Sequence, residues 1–216
     1  MNIHSLARKM LLPLKQTEKP VDQRVTDILS AARSAFAEKG FDGASMQDLA
    51  RAAGMSVGNF YRYFPSKAAI VEALIAADLA DMQRDFSAVI TSADPMAMLR
   101  QCAGERLTQH QCGTGGRLWA EITAAALRKP EIGLACGHME TAIAGYLTQA
   151  FAHVTGLSLA DTQAKFTAHA AFIVMLVKSA SMMPPQEETA RNDLNALILR
   201  TIDQTLNEIA QSGAKG

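Results

Sequence analysis

The feature that most constrains this chain is a series of abrupt helix stops between residues 40 and 67. Gly40, Gly54 and Pro65 each end an apolar-periodic stretch, and Ser45, Ser56 and Ser66 each stand where the next helix would begin. Glycine reaches positive φ at a helix end without a Cβ penalty, and proline cannot continue a helix. A serine hydroxyl caps the free N–H groups of a first turn. The pattern predicts two short helices, about Met46 to Ala53 and Val57 to Phe64, joined through Gly54. Asp48, three residues after Ser45, completes a capping-box pair at the first of them.

The flanking sequence extends this reading. Val25, Ile28, Leu29, Ala32 and Phe36 form one apolar stripe, predicting a helix from about Val21 to Gly40. Ser66 opens a long helix from Lys67 to about Ile90 that carries Ile70, Leu74, Met82 and Phe86. Asp94-Pro95 is an N-cap followed by proline at the first helical position, opening a helix to about Leu107. Gln109 to Gly116 reads as a loop because Gly113, Gly115 and Gly116 crowd it. Further helices are expected over about Arg117–Arg128, Pro130–Val154 and, behind the Ser158/Asp161 capping pair, Leu159–Met183. Pro184-Pro185 breaks the chain before a last helix from Glu187 to Gln211. Strand-like alternation is scarce and aromatics are only 6% of residues, so the fold is expected to be all-α. Nine helices are predicted, a head of three in front of a larger bundle. Residues 1–20, with scattered charges, Pro13 and Pro20, read as a flexible arm.

The formal net charge is zero, but it is unevenly spread. Residues 1–67 hold ten Lys/Arg against six Asp/Glu, and the remainder eleven against fifteen. A basic head on an acidic body suits phosphate contact by one part of the molecule. Met10-Leu11-Leu12 is too short for the apolar region of a signal peptide. The longest apolar stretch, Ala170 to Val177, falls far short of the roughly 20 residues of a membrane span. Three cysteines without an export signal point to reduced thiols, so a cytoplasmic protein with no membrane contact is expected.

Two short helices around a glycine turn are what a helix-turn-helix requires, and its second helix lies in the major groove of DNA. Leu49, Ala50, Ala53, Val57 and Phe60 supply a small core to fix the crossing. Gly58 weakens the second helix by about 1 kcal/mol relative to alanine, a cost that close backbone approach to DNA would repay. Tyr61, Arg62, Tyr63 and Lys67 offer hydroxyl and cationic donors to phosphates, and Asn59 offers an amide pair to a base edge. Ser45 and Arg24 stand at neighbouring helix ends, placed to touch the DNA backbone, and Ser56 caps the second helix.

The stretch Arg24 to Leu74 resembles the DNA-binding domain of the TetR family of transcriptional regulators. The resemblance is carried by Arg24, Ile28, Ala31-Ala32, Phe36, Lys39-Gly40-Phe41, Ser45, Asp48-Leu49-Ala50, Ala53-Gly54, Ser56, Gly58, Tyr61, Tyr63-Phe64, Ser66-Lys67 and Leu74. Carried over position by position, it implies DNA contacts at Ser45, Val57, Gly58, Asn59, Tyr61, Arg62, Tyr63 and Lys67. It divides the chain into a helix-turn-helix domain over 21–67 and a ligand-binding and dimerisation domain over 68–216. The last two helices are implied to pair across a two-fold axis, with apolar stripes at Phe166, Ala170, Ile173 and Val177 and at Leu194, Leu197, Ile198, Ile202 and Leu206. Met82, Phe86, Leu99, Trp119, Ile122, Met139, Ile143, Phe172 and Met175 lie on helices that surround the family's pocket. Eleven methionines favour an adaptable lining for an apolar effector.

The function so implied is a ligand-responsive, homodimeric regulator that binds a pseudo-palindromic double-stranded operator and is released from it by a small, largely apolar molecule. A transcriptional activator would carry the same features. A thiol-based redox sensor of the same fold is the alternative for the effector, through Cys102, Cys112 or Cys136, although these are too widely spaced for a CxxC motif. His110 with Cys112 is a lone pair rather than a metal set, and Cys136 and His138 project from different sides of a helix. No catalytic constellation or cofactor motif stands out, so neither an enzyme nor a resident cofactor or metal is expected.

Overall fold

Helix α1 (Gln23–Lys39) buries Ile28, Leu29, Ala32, Ala35 and Phe36 along the stripe the sequence marks. It stops at Gly40, whose φ of +75° is open to glycine and strained for other residues. The computed structural model describes residues 23–111, 114–183 and 187–213. The arm over 1–20, Val21, Cys112 and Pro184-Pro185 lie outside them.

Helices α2 (Met46–Ala52) and α3 (Val57–Tyr63) form the expected hairpin, turning at Gly54 with φ +63°. The capping box forms: Ser45 Oγ accepts from Asp48 N at 3.1 Å, and the Asp48 carboxylate accepts from Ser45 N at 3.0 Å. Ser56 caps α3 through Asn59 N, and Ser66 caps α4 (Lys67–Thr91) through Ala69 N. Asp94 caps α5 (Pro95–Gln111) through Ala97 N at 2.9 Å. Helices α6 (Thr114–Ala126), α7 (Pro130–Thr155), α8 (Leu159–Ser181) and α9 (Glu188–Gly213) complete nine helices, with no strand among the described residues.

One expectation fails. The stretch Gln109–Gly116 is mostly helix, because α5 runs to Gln111 and α6 starts at Thr114. Two glycines in the first turn of α6 cost about 1 kcal/mol each in propensity. Packing outweighs that cost, since the helix they begin buries Leu118, Ile122 and Ala125 against the head.

Burial falls into two cores. The first joins α1, α2 and α3 to the first turns of α4 (Ile70, Val71, Leu74, Ile75), to α6 and to Ile132 of α7. The second lies further along the bundle, around Val89, Leu99, Phe151, Phe166, Ile173 and Ile202. The head therefore shares its core with the first turns of α4 and with α6.

The stripes assigned to the dimer face need correcting. Phe166, Ala170, Ile173, Ile198, Ile202 and Leu206 are buried in the protomer's own second core, and Val177 and Leu194 pack beside it. Inward spacing and interface spacing share one helical period, so the sequence could not separate them. The large apolar residues left exposed on these helices are Leu159, at the start of α8, and Phe172, Met175 and Leu197.

Candidate nucleic-acid interface and ligand cavity

Helix α3 is seven residues long, so its stability must come from packing rather than from propensity. Phe60 supplies the anchor. It is fully buried and lies 6.2 Å from the ring of Phe64, centroid to centroid. With Phe60 turned inward, Ser56, Val57, Gly58, Asn59, Tyr61, Arg62 and Tyr63 are all exposed. Seven of the ten residues assigned to DNA thus form one continuous outward surface. A Cβ added at Gly58 would meet nothing within 4 Å, so the protein's own packing does not require glycine there.

The other three have different surroundings. Ser45 is exposed beside this surface, although its hydroxyl serves the α2 cap. Asp48 in that cap is held well below the usual carboxylate range, first by the Lys39 ammonium at 2.7 Å and then by Ser45. Arg24 is half-buried near the start of α1 and already engaged within the protein. Lys67 donates to the carbonyls of Phe41 (2.6 Å) and Asp42 (3.2 Å) and lies over the Phe41 ring. Burial pushes its ammonium down from the usual lysine value. Lys67 thus fastens the 41–42 loop.

That loop is gripped from the bundle side as well. The Glu121 carboxylate of α6 accepts from Phe41 N at 3.2 Å and stands so near Gly40 that a Cβ there would fall 2.8 Å from it. Arg128 donates to the Asp42 carboxylate at 2.7 Å, and Lys129 lies 3.3 Å from it. These two cations, Arg128 foremost, lower the Asp42 pKa. Sequence reading missed this clamp because Glu121 and Phe41 are 80 residues apart with no periodic signal to pair them.

A cavity of about 170 Å³ opens between α4, α5, α6, α7, α8 and α9. Met82, Phe86, Leu99, Trp119, Met139 and Ile143 line it, as the sequence indicated. Ile122, Phe172 and Met175 do not. Ile122 is fully buried in the head's core, while Phe172 and Met175 point outward from α8, 36% and 52% exposed. Helical spacing marks them as apolar without saying which neighbour they meet.

Cys102 and Cys136 are free and also line the cavity. Burial, chiefly, pushes both thiols up, which disfavours the thiolate that oxidation chemistry needs. Among the described residues no group of three His, Cys, Asp or Glu side chains is placed to hold a metal, and no helix is long and apolar enough to cross a membrane.

Comparison with known proteins matches these features. Residues 28–74 match the family described as bacterial regulatory proteins, tetR family. The transcriptional regulator UidR of Escherichia coli K12 is 43% identical over 53 residues, covering 24% of this chain and 27% of UidR. The chain thus spans about a quarter of the length of that relative. Salmonella enterica GusR superposes with a TM-score of 0.69 at 22% identity, covering 90% of this chain and 98% of GusR. AibR, solved with isovaleryl coenzyme A and operator DNA, superposes at 0.61 and 18% identity, covering 83% and 97% of the two chains. These structural likenesses share the two-part helical fold. The head, over residues 28–74, is thus similar to the tetR family of bacterial regulatory proteins, and the chain as a whole shares the fold of those solved structures.

Proposed function

We propose that this protein is a dimeric, sequence-specific, cytoplasmic transcriptional regulator. It acts as a repressor that leaves its operator when a small, largely apolar molecule enters the bundle cavity. The observation that carries this reading is the outward surface of α3, with a glycine at position 58 that the fold does not need. A helix that close to DNA gains from a missing side chain; a helix in water loses by it. Asn59 is assigned to base reading, Val57 to an apolar base contact, and Tyr61, Arg62 and Tyr63 to phosphates. Residues 21–67 act as the DNA-binding unit, 68–216 as the regulatory one.

Two heads on a pseudo-palindrome require recognition helices about 34–36 Å apart. In this reading the second copy packs on α8 and α9 through the face bearing Phe172, Met175 and Leu197. Release follows if the effector prefers a conformer with a different head spacing, since equal affinity for both conformers shifts nothing. Two routes lead from cavity to head. Helix α4 begins in the head's core and carries cavity residues further along, and α6 reaches the 40–42 loop through Glu121.

The test is selection of genomic fragments by the purified protein, followed by competition against random duplex. Preference for a pseudo-palindromic site supports the reading; equal binding to every duplex refutes it. Asn59→Ala should change sequence preference more than nonspecific affinity. Tyr63→Phe should weaken all duplexes alike.

A further inference from the structure

The cavity's own chemistry narrows the effector class, an inference that rests on the regulator reading above. Its size comes first. An engineered apolar cavity of about 150 Å³ holds benzene, so about 170 Å³ suits a single substituted ring. Charge comes second. The cationic residues in the lining are Arg106 and Lys178, and each is paired with a carboxylate of the same lining, Asp85 and Glu140. The third lining carboxylate, Asp78, is paired with Arg33 of α1. An anionic ligand therefore meets three carboxylates and gains a cation only by breaking a pair. A cationic ligand likewise finds each carboxylate already matched.

Hydrogen bonding comes third. Trp119 and Thr123 lie one turn apart on α6 and both line the cavity. Thr123 Oγ1 spends its proton on the thioether sulfur of Met182 at 3.5 Å, a weak acceptor that a ligand oxygen would outcompete. No hydrogen bond to the Trp119 indole N–H occurs among the described residues. The site thus offers the Thr123 hydroxyl as a donor, beside the Trp119 ring, and no unmatched charge. Glu121, between them in sequence, faces the head instead.

We infer that the effector is a neutral, single-ring-sized molecule with one acceptor oxygen, such as an aryl ketone, held by the Thr123 hydroxyl beside Trp119. A ligand seated there bears on the helix whose opposite face holds Phe41 N, which links occupancy to the head.

Trp119 is the sole tryptophan, so its emission reports occupancy directly. Four probes of one size separate the possibilities: acetophenone, cumene, benzoate and benzylammonium, each titrated into the full-length protein. Acetophenone should bind most tightly and cumene about fivefold more weakly for want of an acceptor. The two ions should bind at least about tenfold more weakly than acetophenone. Thr123→Val, nearly equal in volume, should bring acetophenone down to the level of cumene and leave cumene unchanged. Benzoate or benzylammonium binding as well as acetophenone would overturn the inference, as would acetophenone indifferent to Thr123→Val or failing to bind. Operator binding by the ligand-free protein is measured in parallel. If it is intact while acetophenone fails, the effector class is wrong and the regulator reading stands; if it is absent, the regulator reading itself falls.

Discussion

The head and the bundle are built from the same kind of helix, yet the chain specifies them differently. In the head, chemistry is local. Ser45, Gly54, Ser56 and Pro65 set the ends of two short helices, and with Phe60 inward their geometry dictates which side chains face out. In the bundle, long helices of similar apolar content meet several neighbours each, and a residue's role depends on which one it touches. Punctuated short elements fix a surface; long unpunctuated ones fix only a core and leave its cavity to packing detail.

Removing the head's anchor breaks the comparison most severely. Phe60→Ala should cost about 3–5 kcal/mol of stability, measured by urea denaturation, because a fully buried ring leaves a void under a helix too short to stand alone. A loss below about 1 kcal/mol would mean that α3 does not depend on that ring.

A sharper contrast comes from Gly58→Ala. Open space around this position means alanine should stabilise the protein by up to about 1 kcal/mol, seen as a higher Tm. The same change should weaken operator binding by at least about tenfold, as a methyl group intrudes between helix and bases. Stability and affinity moving together would remove the argument for close approach.

The clamp between the two regions can be separated from both. Glu121→Gln keeps the shape and weakens the hydrogen bond to Phe41 N, so operator affinity should stay within about twofold while release by a cavity ligand is blunted. Full release in this variant would return the coupling to α4 alone.

The smallest effect concerns acid. Asp42 titrates below its ordinary 3.8 because Arg128, then Lys129, stabilises the carboxylate. Its folded pKa is depressed, so the stabilisation is present above the unfolded value and lost as pH falls through the folded one. Asp48 shifts the same way through Lys39 and Ser45. Hydrogen exchange at Phe41 and Ala44 should therefore quicken below about pH 4, and Asp42→Asn should show the faster rate already at neutral pH.

What was legible follows the same division. Helix order, the capping box, the positive-φ glycines and the outward face of α3 rest on neighbours within four residues, and sequence carries such signals. The contacts of Lys67 with the carbonyls of Phe41 and Asp42, about 25 residues away, carried no local signal in the sequence. Ile122, Phe172 and Met175 misled because period alone cannot tell core, cavity and outer face apart. The Glu121 clamp left no trace in the sequence, being a contact between distant segments with no repeat to betray it. The glycine-rich start of α6 looked like loop because local propensity was opposed, and outweighed, by burial of Leu118 and Ile122.

Methylation interference on the selected DNA tests the entry of α3 into the major groove most directly. The account predicts that methyl groups on guanine N7, which project into that groove, block binding at two clusters centred one helical turn, about 10 base pairs, apart. Interference confined to adenine N3 in the minor groove, or none at either position, would contradict it.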